Sequence, residues 1–163
     1  MANNWWCLNE AQAEGPVFTG EGDFHPSFSN FVHSPIKVDG LEYQTVEHYF
    51  QAMKTLEPGW RKRIQRASDP GLAKVHGRAA PLRPDWDEVK YEVMVTGLRV
   101  KFAILAFRSF LAEFEGPIVE WNTWHDRIWG VCICSGCGHR GQNLLGKALE
   151  QVRQEITDEE NSR

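Results

Sequence analysis

The chain has 163 residues, enough for one domain with a sizeable core and little room for a second. Apolar residues make up 42% and charged residues 25%, a globular balance that excludes a disordered chain; no run approaches the ~18 apolar residues of a membrane-spanning helix. The formal net charge of −4 argues against a protein built mainly to grip duplex phosphates, and residues 1–6 lack the basic-then-apolar pattern of a leader, so a cytoplasmic protein is expected.

Within residues 1–23, Gly15-Pro16, Gly20 and Gly22 break the pattern, and only Val17-Phe18 predicts a short strand. Residues 24–31, FHPSFSNF, alternate aromatic and small polar side chains and read as a loop. Residues 35–43 predict a hairpin around Asp39-Gly40, since an Asp-Gly pair suits the positive-φ turn that hairpins favour. Thr45 is placed to cap a helix running to about 56 and stopped by Pro58-Gly59. A second helix is expected over 60–67, and a third over 70–77, capped by Ser68 or Asp69 with Pro70 at its first position. After a linker marked by Pro81 and Pro84, Asp85 is expected to cap a long periodic segment over 86–114, broken at Gly97 or near 107–109. Residues 118–121 predict a strand, 125–142 a long loop, 143–156 an amphipathic helix, and 157–163 a frayed charged tail. The fold expected is α+β: a predominantly helical single domain over 1–163, with its core at about 18–156 and a few short strands.

Three polar clusters stand out. On a helix at 100° per residue, Glu47, Gln51 and Lys54 share an arc of roughly 60°, with Val46, Tyr49, Phe50, Met53 and Leu56 opposite. The bland reading is a solvated polar face; the chemical reading is a general acid or base beside an amine, under a cleft. In WHDRIWG, Asp126 precedes Trp129-Gly130, a carboxylate beside a flat ring, or simply a turn aspartate. In VCICSGCGHRGQN, three glycines free the backbone to approach a ligand, and Asn143 opens a helix whose N–H groups suit a phosphate. The run Cys132, Cys134, Cys137, His139 raises zinc, yet four ligands from eight consecutive residues strain tetrahedral closure. Free loop thiols, with no metal, are therefore the expectation.

FSNF, PIKVDG followed by Tyr43, TVEHYFQAMK, the helix carrying Trp86, Lys90, Met94 and Lys101-Phe102, HDRIWG and GQNLLGKAL occur together and in this order. The combination resembles the NADAR superfamily over about 18–154, nearly the whole chain. One departure is the thiol-rich loop after Trp129-Gly130, with Val131 where relatives commonly carry Asp.

The resemblance implies an N-glycosidase that hydrolyses the bond between ribose C1 and an exocyclic amine nitrogen, with no cofactor. Two substrate classes attach to the family: ADP-ribose on the guanine amino group of DNA, the product of DarT-type toxins, and phosphoribosylamino-pyrimidines of riboflavin synthesis. A non-catalytic ADP-ribose-binding module is the reading from another class. For this chemistry Glu47 is the expected acid/base, and Lys54 the amine that orients, protonates or condenses with the opened sugar. Asp126 is expected to position water or ribose hydroxyls. Trp86 and Trp129 are the expected stacking rings and Asn30 and Asn143 the expected hydrogen-bond donors. Phe31, His48, Gln51, Gly130 and Gly146 complete the expected ligand-binding set. Single-stranded ADP-ribosylated DNA suits the acidic chain better than duplex, and no membrane partner is expected.

Overall fold

Chain direction reverses at Asp39-Gly40, whose φ angles of 50° and 78° form the left-handed pair that joins β2 (Ile36–Val38) to β3 (Leu41–Tyr43) in an antiparallel hairpin. This hairpin belongs to a computed structural model that describes residues 17–19 and 26–162. The chain forms two compact units, Met1–Ser29 with Phe114–Glu150, and Asn30–Glu113 with Gln151–Arg163. Six helices and five short strands make up the described residues, a mostly helical α+β fold as expected.

In the larger unit, α1 (Val46–Met53) is surrounded by α2 (Pro58–Gln65), α3 (Pro70–Ala79), α4 (Trp86–Phe102) and β3. Thr45 caps α1, its hydroxyl accepting from the His48 N–H at 3.2 Å, and Asp69 caps α3 by accepting from the Leu72 N–H at 2.8 Å. The first helix ends at Met53 rather than 56, because the Lys54 carbonyl turns out to accept the Arg83 N–H at 2.8 Å. Pro58, expected to stop a helix, opens α2 instead: its fixed φ and missing N–H cost nothing at a first helical position. Asp85 does stand at the start of α4, but its carboxylate makes a two-pronged ion pair with Arg83 (2.6 and 2.8 Å) and leaves the helix without a side-chain cap.

The long segment breaks at Ala103-Ile104, not at Gly97 or 107–109, and resumes as α5 (Leu105–Glu113). Gly97 lies buried inside α4. Lys101, near the end of α4, is completely buried against the Phe102 and Phe107 rings, and desolvation holds its amine down at about 7. The tail expected to fray is helical, since α6 runs over Leu144–Asn161. Arg99 grips Glu155 at 2.8 Å, and Arg108 reaches Glu159 and Glu160 at 3.1 and 3.3 Å, so the acidic last turns have partners on α4 and α5.

In the smaller unit, β4 (Val119–Asn122) is the central strand, antiparallel to β1 (Val17–Thr19) and parallel to β5 (Val131–Cys132). The two-residue β5 sits inside what the sequence presents as continuous loop. Phe28 and Phe114 meet edge-to-face at 4.9 Å. No helix among the described residues is long and apolar enough to cross a membrane.

Candidate active site

The polar arc of α1 is not solvated. Every residue from Val46 to Ala52 is buried, Glu47 at 6% exposure and Gln51 at 2%, while Leu56, assigned to the apolar arc, is exposed. Packing on several sides of α1 overrides its amphipathic pattern. Gln51 Nε2 donates to Glu47 Oε1 at 2.7 Å. Burial pushes the Glu47 carboxyl above its usual range, against the lowering effects of the Gln51 hydrogen bond and of Lys74, Lys54 and Arg78.

Gln51 itself is fixed by Gly77 of α3: a Cβ there would collide with the Gln51 amide, so glycine is required where the two helices touch. The Gln51 Oε1 and Asn30 Oδ1 atoms are buried with no hydrogen bond among the described residues. Asn30 lies at the head of α1, its carbonyl accepting the Glu47 N–H at 3.1 Å and its Nδ2 donating to Met94 Sδ at 3.4 Å. Lys54 Nζ stands 5.4 Å from the Phe50 ring centre and 5.9 Å from that of Trp86, and the two rings are 5.1 Å apart. Lys74 Nζ covers the exposed Phe31 ring at 5.7 Å.

Asn30, Phe31, Glu47, Gln51, Lys54 and Trp86 therefore fall within this unit and close to α1. His48 is there too, but both ring nitrogens hold the scaffold: Nε2 donates to the Ala67 carbonyl at 3.2 Å, and Nδ1 accepts from the Thr45 hydroxyl at 2.9 Å. Burial lowers its pKa, against the raising effects of the Ala67 hydrogen bond and of Asp69. Lys74 and Arg78 were not singled out from sequence. Their signal is two cations one helical turn apart on α3, legible only once α3 is known to lie against α1.

Asp126, Trp129, Gly130, Asn143 and Gly146 belong to the other unit. Asp126 Oδ1 accepts the N–H groups of Ile128 and Trp129, both at 2.9 Å, and so shapes the turn that presents Trp129. Asn122 fastens that turn from below: its Nδ2 donates to the Asp126 carbonyl at 2.7 Å and its Oδ1 accepts the Asp126 N–H at 3.1 Å.

The phosphate cradle expected at the head of α6 does not form. The N–H groups of Asn143, Leu144 and Leu145 go to the carbonyls of Gly130, Ile128 and Trp129. The Asn143 amide is likewise committed, accepting from the Glu120 N–H at 3.0 Å and donating to the Ile118 carbonyl at 2.8 Å. Gly130 and Gly146 serve the same packing, since a Cβ on either would strike the backbone of β4 or its approach. Among the cysteines, the histidine drawn in is His125, not His139. Its Nδ1 and the Sγ atoms of Cys132, Cys134 and Cys137 all lie within 4.8 Å of one another.

The NADAR domain family model matches residues 17–157. N-glycosidase YbiA of Escherichia coli strain K12 is 40% identical over 146 residues, covering 87% of this chain and 88% of its own. N-glycosidase Npun_R5314 of Nostoc punctiforme is 35% identical over 135 residues, covering 79% and 84%. Riboflavin biosynthesis protein VVA0006 of Vibrio vulnificus is 32% identical over 151 residues, which is 89% of this chain but 40% of that protein. The NMR structure of the E. coli protein YbiA matches with a TM-score of 0.74 and 38% identity over 89% of this chain and 86% of that one. The chain is thus an N-glycosidase, a hydrolase of N-glycosidic bonds, and it belongs to the NADAR domain family.

Proposed function

We propose that the chain removes ADP-ribose from the exocyclic amino group of guanine, in single-stranded DNA or in nucleotides, as would reverse the product of a DarT-type toxin. The observation that carries this reading is the buried Glu47 carboxyl, braced by Gln51 and surrounded by Lys54, Lys74 and Arg78. A carboxyl whose hold on its proton is strengthened by burial can give that proton to the leaving amine nitrogen as the C1–N bond breaks. The carboxylate left behind then takes a proton from the water that adds to C1. The products are the free amine and the C1 hydroxyl, and Glu47 ends as it began.

The cations have a second use. Lys74 and Arg78, one turn apart on one helix, suit two linked phosphates better than one. That spacing favours ADP-ribose over a monophosphate. The exposed Phe31 ring supplies an apolar face for a base or ribose, whereas Phe50 and Trp86 are buried against each other. The buried acceptors Gln51 Oε1 and Asn30 Oδ1 offer partners for hydroxyl donors.

The second reading is the same bond broken in a phosphoribosylamino-pyrimidine. It is favoured by the relative named for riboflavin biosynthesis. A binding module without catalysis has no use for a carboxyl held ready to donate a proton. The deciding experiment incubates the purified chain with ADP-ribosylated guanine oligonucleotide and, separately, with phosphoribosylamino-pyrimidine, identifying products by mass. Release of ADP-ribose with restored guanine supports the first reading. Turnover of the pyrimidine alone replaces it with the second, and turnover of neither with binding of ADP-ribose returns the module.

A further inference from the structure

The thiols of the loop after Trp129 converge on a histidine from before it, which the linear order of the motif conceals. His125 Nδ1 stands 3.3 Å from Cys137 Sγ, 3.3 Å from Cys134 Sγ and 4.0 Å from Cys132 Sγ. Cys132 and Cys134 Sγ are 3.3 Å apart, too far for a disulfide at ~2.05 Å. Zinc with Zn–S near 2.3 Å and Zn–N near 2.0–2.1 Å sets its four ligands at tetrahedron edges of roughly 3.4–3.8 Å. The observed separations bracket those edges.

We propose that His125 Nδ1 and the Sγ atoms of Cys132, Cys134 and Cys137 bind one zinc ion in a closed tetrahedral structural site. Three thiolates and one imidazole suit zinc among the common divalent ions, and with four protein ligands no position stays open for catalysis. On binding, the three thiols release their protons to solvent.

The backbone is arranged to deliver these ligands. The Cys137 N–H donates to the Cys134 carbonyl at 3.1 Å, closing the turn that brings the Cys-x2-Cys pair to one side. Cys132 is held in β5 beside β4, and its N–H donates to the Arg140 carbonyl at 3.1 Å, which closes the far end of the loop. Recruiting His125 from seven residues upstream of Cys132 removes the strain that four ligands within eight residues would impose. The ion would clamp the loop at 125–140 and, through His125, the neighbouring Asp126 turn that presents Trp129.

The test purifies the full chain under reducing conditions from medium without added metal, and measures bound metals by mass spectrometry. About one zinc per chain is expected in the wild type and in His139→Asn. His125→Asn, which keeps a residue tolerant of the left-handed backbone at φ 67°, should lose zinc to a chromophoric chelator at least tenfold more readily. Cobalt substituted for zinc in the wild type should give thiolate charge-transfer bands and the intense visible bands of a tetrahedral ion. These readouts do not depend on glycosidase activity, nor on cysteine variants that fail to fold. A reduced wild type that neither carries nor takes up stoichiometric zinc or cobalt overturns the proposal. So do an octahedral cobalt spectrum, bound iron or copper in place of zinc, and zinc lost from His139→Asn but kept in His125→Asn.

Discussion

Gln51 reaches back one turn of α1 to donate to Glu47 at 2.7 Å, in a stretch of helix whose residues from Val46 to Ala52 are all buried. A surface helix would spend such a pair on solvent. Here the amide is the carboxyl's partner within α1, and the carboxyl's protonation state is set by burial first and by that bond second.

Glu47→Gln tests the acid/base role. It should cut turnover about 10²–10⁴-fold with the fold kept. Because burial raises the folded-state pKa above the unfolded value, the folded chain holds the extra proton between the two. Stability therefore falls as pH rises through that window, and Glu47→Gln should flatten the decline in denaturation measured from pH 4 upward. The same proton predicts that wild-type kcat/KM falls on the alkaline side. An activity profile unchanged in Glu47→Gln moves the chemistry elsewhere.

Gly77→Ala tests the support rather than the group. The added methyl strikes the Gln51 amide, and overpacking of this kind costs about 1–3 kcal/mol. The expected outcome is a lower melting temperature together with a fall in kcat. Loss of stability with kcat intact would mean that the orientation of Gln51 does not matter to Glu47.

Local chemistry made much of the fold legible: caps at Thr45 and Asp69, the Asp39-Gly40 turn, and β4. What escaped depends on partners distant in sequence. The pattern of α1 predicts a solvated polar face, and nothing local reveals the helices packed around it. Asp85 looks like a cap until Arg83 claims its carboxylate. The break at Ala103-Ile104 carries neither glycine nor proline, and the acidic tail stays helical because Arg99 and Arg108 meet it. His139 sits nearer the cysteines in the chain, yet His125 sits nearer in space.

Asp126 has two separable duties. Asp126→Asn keeps an oxygen to accept the Ile128 and Trp129 N–H groups but removes the charge. If the carboxylate places water or ribose, Asn should lower kcat at least tenfold at an unchanged melting temperature, whereas Asp126→Ala should lower both. Full activity in the Asn variant reduces Asp126 to a turn former.

Lys101 supplies an opposite pH signature. Its folded pKa, about 7, lies below the usual lysine value, so between them the unfolded chain binds the proton and the folded chain does not. Stability should rise with pH from about 7 toward ~10. Lys101→Met, similar in length and without the amine, should abolish the rise in urea denaturation series at successive pH values. An equal slope in both proteins would assign it to other groups.

Lys54 is the residue for which electrostatic and covalent roles diverge most sharply. It lies about 20° around α1 from Glu47 and two turns along, with its amine over the Phe50 and Trp86 rings. Rings on that side favour a cation, and a cation there would help to hold a phosphate. A covalent role needs the neutral amine: it adds to C1 of the ring-opened iminium form of the substrate and expels the protonated amine, and water then hydrolyses the resulting Lys54 imine, releasing the sugar and restoring the lysine. Lys54→Arg keeps the charge and the ring stacking but cannot form that imine. Borohydride added during turnover would reduce the imine to a stable amine, leaving the sugar's mass on a peptide containing Lys54. We expect an adduct in the wild type, none in the variant, and at least a hundredfold lower turnover in Lys54→Arg. Near-normal turnover in the variant, with no adduct in either protein, makes Lys54 a phosphate-holding cation and leaves the proton traffic to Glu47.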